Sequence, residues 1–199
     1  MEREKCCCFT GHRRIPEQEM LWVRRRLREE ILDLAQKGVD TFLTGGALGF
    51  DTLAAQEVLR MRAMGLPSLK LVLALPYMNQ EAQWSQRDAA VYRTLLRQAD
   101  NVVYTSQEYH RGCLFQRNRY LVDHSAYCVC YLLQSGPAPP IPPSTPGSRA
   151  WKCGTWLRPP GSSSPPPQRP RKTAAPGREG SAFPGRAIVR LWGFTKVME

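Results

Sequence analysis

Along residues 1–134, apolar and polar positions switch repeatedly between the short apolar runs of buried strands and the 3-and-4 spacing of amphipathic helices. A first strand is predicted from about Lys5 to Thr10. Pro16 then opens a helix whose apolar positions are Met20, Val23, Leu27, Ile31 and Leu34, and Gly38 stops it. Thr41 to Thr44 reads as a second strand, followed by the turn Gly45-Gly46-Ala47-Leu48-Gly49. Phe50, Leu53, Ala54, Val58 and Met61 line a second helix, ended by Gly65 and Pro67. Leu69 to Leu75 is almost wholly apolar, as suits a central parallel strand covered on both faces, and Pro76 ends it. A helix through roughly Ser85 to Gln98, a strand from Asn101 to Thr105, a helix from Leu114 to Asp123 and a strand from Ala126 to Leu133 complete the series. The expected fold class is α/β: a Rossmann-like three-layer sandwich on a mostly parallel five-stranded sheet.

Charge and proline divide the chain in two. The net charge of +11 suggests nucleic acid until it is split: residues 1–134 hold 18 Lys and Arg against 15 Asp and Glu, and the remainder 10 against 2. Of the 17 prolines, 14 follow residue 135. The expected organisation is therefore a ligand-binding domain over residues 1–135 and a low-complexity basic tail over 136–199, rich in Pro and Arg and without the composition of a packed core. A sharper reading of the tail is translation out of frame, since proline-rich basic sequence with isolated tryptophans is what a GC-rich gene yields when shifted. Read from the third base of each codon, Trp151 followed by Lys152 gives a glutamate, and residues 140–153 permit a string that resembles a helix, a turn and a strand.

Nothing in the sequence approaches 18 uninterrupted apolar residues, so no membrane span is read and a soluble cytoplasmic protein is expected. Adjacent Cys6, Cys7 and Cys8 fall in a strand, where successive side chains take opposite faces and cannot frame a zinc site; reduced thiols are expected among the seven cysteines.

In a parallel sheet the ligand crevice lies beyond the carboxyl ends of the strands, and three segments there carry chemistry. In Thr10-Gly11-His12-Arg13-Arg14, Gly11 allows a tight turn while His12 and Arg13 offer charge to an anion; a solvated basic loop is the plainer account. In Thr44-Gly45-Gly46-Ala47-Leu48-Gly49-Phe50-Asp51, glycines permit close approach and the following helix start offers N–H groups to a phosphate. Asp51 reads either as a cap of that helix or as a ribose-hydroxyl contact. The segment matches neither a Walker loop nor a GxGxxG fingerprint, so no cofactor is assigned. In Pro76-Tyr77, with Gln80 and Trp84 behind, the aromatics either stack on a base or simply pack. Arg117 and Asn118 face the crevice or form a solvated helix surface. His110 and Cys113 lack a carboxylate to orient the histidine, which argues against nucleophilic catalysis. By this reasoning Gly46→Val abolishes ligand binding and leaves the fold largely intact.

Taken in order, Cys8-Phe9-Thr10-Gly11-His12-Arg13, the turn from Thr44 to Asp51, Leu75-Pro76-Tyr77 with Gln80 and Trp84, and the run Arg117-Asn118-Arg119-Tyr120-Leu121-Val122-Asp123 resemble the YpsA-like branch of the SLOG superfamily, over roughly residues 5–135. The resemblance implies a Rossmann-like module that binds or senses a nucleotide or nucleotide derivative, related to DprA and to the lonely-guy phosphoribohydrolases. In bacteria it implies a link to cell division or stress responses. Carried over by motif, Gly11, His12 and Arg13 belong to one ligand loop and Gly45, Gly46, Gly49 and Asp51 to another; Arg117 and Asn118 are further candidates. After the fifth strand the family continues with a glycine-glycine-threonine loop, where this chain has Gly136-Pro137-Ala138-Pro139-Pro140. The alternatives to a binding module are a phosphoribohydrolase-like enzyme that cleaves a base from a nucleotide, and nucleic-acid binding through the basic tail. The arginine and glutamate that the lonely-guy relatives need are not in place. Self-association into a homo-oligomer is a further partner expectation, since a sheet lacking its last helix and strand exposes an edge.

Overall fold

The computed structural model describes residues 1–131 and the backbone of residues 153–157. Its element order is a 3-10 turn, Arg3–Lys5, then β1 (Cys6–Gly11), α1 (Glu17–Gln36), β2 (Thr41–Thr44), α2 (Phe50–Ala63), β3 (Lys70–Leu75), α3 (Gln86–Gln98), β4 (Asn101–Tyr104), α4 (Cys113–Asp123), β5 (Tyr127–Tyr131) and β6 (Cys153–Leu157). The strands form one sheet in the order β4-β3-β2-β1-β5-β6, every pair parallel. The five strands expected are present within a residue or two of their expected ends. A sixth, β6, pairs along β5 from Tyr127↔Cys153 to Tyr131↔Leu157, inside the segment whose composition promised no strand. The out-of-frame reading of the tail otherwise falls outside the described residues.

Alternation along the strands sorts the core into two layers. Cys7 and Phe9 of β1 face one side, with Phe42, Leu71, Leu73, Leu75, Val129 and Tyr131. Onto that side pack Val23, Leu27, Ile31 and Leu34 of α1, Phe50, Leu53 and Val58 of α2, and Tyr92 and Leu95 of α3. Cys6 and Cys8 face the other side, where Leu43, Val72, Ala74, Cys128 and Cys130 meet Leu121 of α4. The segregation follows from the period of two in a strand. It also puts Cys7 on the face opposite Cys6 and Cys8, and among the described residues no group of ligating side chains could hold a metal ion. The described cysteines, Cys6, Cys7, Cys8, Cys113, Cys128 and Cys130, are buried and form no disulfide with one another.

Local signals set the helix ends. Gly38 follows α1 at φ 87° and Gly65 follows α2 at φ 127°, conformations that side chains with a Cβ rarely adopt. Ser85 caps α3, its hydroxyl accepting from the Asp88 N–H at 3.1 Å. α1 is tied to α2 by Glu57, fully buried on α2, whose carboxylate accepts from Arg24 Nη1 at 2.5 Å and Arg28 Nε at 2.7 Å. Among the described residues no helix is long and apolar enough to cross a membrane.

The chain steps outward from β1 through β2 and β3 to β4, then returns to the other side of β1 as β5. The connections therefore part at the carboxyl ends of β1 and β5. In an open α/β sheet that is where a crevice forms.

Candidate functional site

Two loops meet beside this parting point. The first leaves β1 through Gly11, His12 and Arg13. The His12 N–H donates to the Tyr131 carbonyl of β5 at 3.2 Å, and the His12 carbonyl accepts from the Phe50 N–H of α2 at 3.1 Å. Gly11 and Gly49 make this closeness feasible. A Cβ on Gly11 would lie 2.7 Å from the Phe50 ring, and one on Gly49, at φ 79°, would lie 2.3 Å from the Arg13 carbonyl oxygen. Phe50 in turn stacks on Tyr131, with ring centroids 5.6 Å apart, and the His12 ring meets Tyr131 edge-on at 6.4 Å. The Tyr131 hydroxyl donates to Glu19 Oε2 of α1 at 2.5 Å, and burial pushes that hydroxyl's pKa up.

The second loop, residues 45–49, is fastened from below. Arg117 of α4, buried, sends Nη1 to 3.4 Å from Asp51 Oδ2, and the same oxygen accepts from the Ala47 N–H at 3.4 Å. The guanidinium occupies the space that a side chain at position 45 would fill: a Cβ on Gly45 would sit 1.2 Å from Arg117 Nη1. Arg117 Nε is buried with no hydrogen-bond partner. Burial pushes the Asp51 carboxyl above the usual carboxylate range, opposed chiefly by the Arg117 charge, and burial pulls Arg117 down, opposed by Asp51. Gly46, at φ 64°, is held from above by Gln80, whose Nε2 donates to its carbonyl at 3.2 Å.

Each glycine of the second loop thus makes room for atoms of the protein itself. The helix start is also engaged: besides the Phe50 N–H, the Thr52 N–H donates to the Ala47 carbonyl and the Leu53 N–H to the Gly49 carbonyl, at 3.1 and 3.0 Å. Asp51 caps the loop, through Ala47, and makes no side-chain hydrogen bond as an α2 cap. A Cβ at Gly46 would meet Leu75 Cδ2 at 2.7 Å, so a valine there strains the core as well as the loop, and the expectation that Gly46→Val spares the fold does not survive the geometry.

Of the sequence-derived candidates, His12 and Arg13 thus come together with Gly49, Gly11 with Phe50, and Gly45, Ala47 and Asp51 with Arg117, while Thr10 stays in β1 opposite Cys130 of β5. Arg117 is buried, so the solvated-face account does not apply to it; Asn118, its neighbour, is half-buried. Pro76 is buried at the end of β3, and the Tyr77 ring packs edge-on to Tyr109 at 5.4 Å. Trp84 packs edge-on to Tyr92 at 5.2 Å, which makes it a packing residue. His110 turns to Ser106 Oγ at 2.8 Å and to the Gly112 N–H, while Cys113 is fully buried; neither is poised as half of a nucleophilic pair. Glu19 and Tyr131 do not stand out in the sequence, because one is in α1 and the other is the last residue of β5. Their only sequence signal is that they flank the strand ends where the topology parts.

Compared with known proteins, residues 9–137 match the model of the YspA SLOG family. The chain belongs to that family. Its relatives include UPF0398 proteins of Halalkalibacterium halodurans, 30% identical over 106 residues, and Shouchella clausii, 29% identical over 110 residues. These matches cover 52% and 54% of this chain and 56% and 58% of the relatives, so the chain spans about half the length of the curated relatives it matches. Among solved structures, DNA processing protein A from Helicobacter pylori, described for its single-stranded DNA binding mode, aligns with a TM-score of 0.43 at 20% identity, covering 65% of this chain and 55% of that one. Within the YspA SLOG family match lie both loops, Arg117 and all five strands from β1 to β5 except the first residues of β1.

Proposed function

We propose that the crevice at the carboxyl ends of β1, β2 and β5 binds a nucleotide or nucleotide-derived small molecule, and that the protein is a binding or sensing module. The observation that carries this reading is the joining of the two loops at the topological parting point, where the His12 backbone links β5 to the start of α2. Family membership and the position of the loops after their strands support it. Among the described residues, the carboxylates of Asp51 and Glu19 beside the crevice are committed inside the protein, Asp51 to Arg117 and Ala47, and Glu19 to Tyr131. Neither is free to act as a general acid or base, which favours binding over base cleavage. The test is calorimetry against a panel of nucleoside monophosphates, nucleoside diphosphates and dinucleotides, together with an assay for free base. Saturable binding without release of base is the expected result; release of base at a steady rate replaces the reading with that of a nucleotide N-glycosidase.

We further propose that residues 136–199 are the product of a shifted reading frame. Proline content rises at residue 135 and the family match ends at 137, which supports the proposal. Sequencing the DNA across codons 130–160 tests it. A single-base change that restores a glycine-threonine turn and a helix is expected; an intact frame overturns it. In that case the basic tail becomes a candidate for salt-dependent nucleic-acid binding.

A further inference from the structure

The second loop has the composition of a phosphate cradle, yet its interior is already filled. Asp51 Oδ2 takes the Ala47 N–H, the Arg117 guanidinium fills the space beside Gly45, and the Phe50, Thr52 and Leu53 N–H groups go to carbonyls of His12, Ala47 and Gly49. A phosphate taking the place of Asp51 Oδ2 at the Ala47 N–H would displace a buried carboxylate that is itself paired with a buried guanidinium. Breaking a buried pair of that kind is strongly destabilising, because it leaves an uncompensated buried charge.

The first loop differs. Arg13 is exposed, and among the described residues it makes no ion pair. Its backbone lies against Gly49, and its charge is felt by both partners of the buried pair, favouring the Asp51 carboxylate and opposing the Arg117 charge. The Asp51 carboxylate is already paired with Arg117, so among the described residues the Arg13 side chain, which solvent can reach, is a cation of the first loop left without an ion-pair partner. Arg14 is also exposed, one residue further from Gly11 along the loop.

We propose that Arg13 is the anchor for the phosphate of the ligand, and that Asp51 is the resident anion of the second loop, placed there to hold its shape and not to touch phosphate. The inference rests on the reading of the crevice as a nucleotide site and assigns the chemistry within it. Phosphate recognition falls to the first loop, through a planar, bidentate donor. The second loop offers backbone and shape to the uncharged part of the ligand.

The experiment measures the dissociation constants of AMP, adenosine and inorganic pyrophosphate at fixed ionic strength, for the full chain and for Arg13→Ala, Arg13→Lys and Arg14→Ala. All three substitutions are on exposed side chains, and the thermal unfolding of each variant is recorded beside its binding. Arg13→Ala is expected to weaken AMP and pyrophosphate by about 10- to 100-fold, the range of a charged hydrogen bond, and to leave adenosine within about two-fold. Arg13→Lys restores part of the loss, because charge returns without the fork. Arg14→Ala leaves the ratio of AMP to adenosine affinity as it is in the parent protein. An unchanged ratio in Arg13→Ala, or an equal loss in Arg14→Ala, overturns the assignment. If pyrophosphate binds through Arg13 while neither AMP nor adenosine binds, the anion site stands and the nucleotide reading falls; absence of pyrophosphate binding overturns the anion site itself.

Discussion

Replacing Gly45 by alanine tests how the second loop is held. The added Cβ would lie 1.2 Å from Arg117 Nη1, 2.3 Å from its Cζ and 2.8 Å from Asp51 Oδ2, so guanidinium and methyl cannot share the space. The guanidinium is the far end of a long side chain and can leave. The steric conflict therefore resolves into an electrostatic loss: Asp51, 6% exposed, keeps the Ala47 N–H and loses its cation. Removing one partner of a buried pair costs about 3–5 kcal/mol, and the remaining hydrogen bond places the expected loss near the lower figure, about 3 kcal/mol. For a chain of this size that is a fall in Tm of roughly 6–12 °C. Arg117→Met should cost about the same, since it strands the same carboxylate. In the Arg117→Met background, Gly45→Ala should add less than about 0.5 kcal/mol, because its methyl group enters vacated space. Urea unfolding of the two single variants and the double variant reads the coupling. A pH series adds a second signature. Without Arg117 the folded-state pKa of Asp51 rises further above its unfolded value. The penalty is thus complete at pH above the folded pKa and shrinks as pH falls through it, so the gap between variant and parent should narrow from pH 8 to pH 5. Additive losses with a gap independent of pH would refute the reasoning.

Other expectations follow from the same geometry. The Glu57 clamp is asymmetric: Glu57→Gln should cost about 1–2 kcal/mol, since Arg24 and Arg28 are 30% and 39% exposed and can turn to water, whereas Arg24→Met with Arg28→Met strands a fully buried carboxylate and should cost more, about 3–5 kcal/mol by urea unfolding. Gly46→Val should lower Tm as well as ligand affinity, because its Cβ would meet Leu75 at 2.7 Å and its φ is 64°; a fold of unchanged stability would show that the loop relaxes freely. Cys6, Cys7, Cys8, Cys113, Cys128 and Cys130 are buried, so a thiol reagent read out by mass spectrometry should modify them only on unfolding. Hydrogen bonding with the neighbouring thiols Cys130 and Cys8, together with burial, raises the pKa of Cys128, and it should be among the slowest. Binding of AMP should strengthen as pH rises through about 6, the second ionisation of a phosphomonoester, and a flat profile would indicate that the phosphate is not what the protein grips.

Much of the fold could be read from periodicity because the sheet is parallel and buried. Leu69 to Leu75 announces a central strand, and Gly38 and Gly65 announce helix ends, each for a local reason. β6 carried no such signal: Cys153–Leu157 belongs to a segment whose composition is dominated by prolines and arginines. The two glycine loops were found by position and motif, but their internal wiring was not legible. The pairing of Asp51 with Arg117 spans 66 residues, and nothing local in either helix distinguishes it from a surface charge. Glycines that looked like room for a ligand prove to be room for Arg117, Phe50 and the backbone of Arg13. A sequence shows that close approach is needed; it does not show what approaches.

The claim that ties these observations together is that the ligand lies where the first and second loops meet beside β5. An amide nuclear magnetic resonance titration of the 22.6 kDa chain with AMP tests it most directly. The account predicts saturable shifts at the amides of Thr10 to Arg13, Gly45 to Asp51 and Tyr131, with the outer faces of α1 and α3 unmoved. Saturable shifts confined to other parts of the sheet would contradict it.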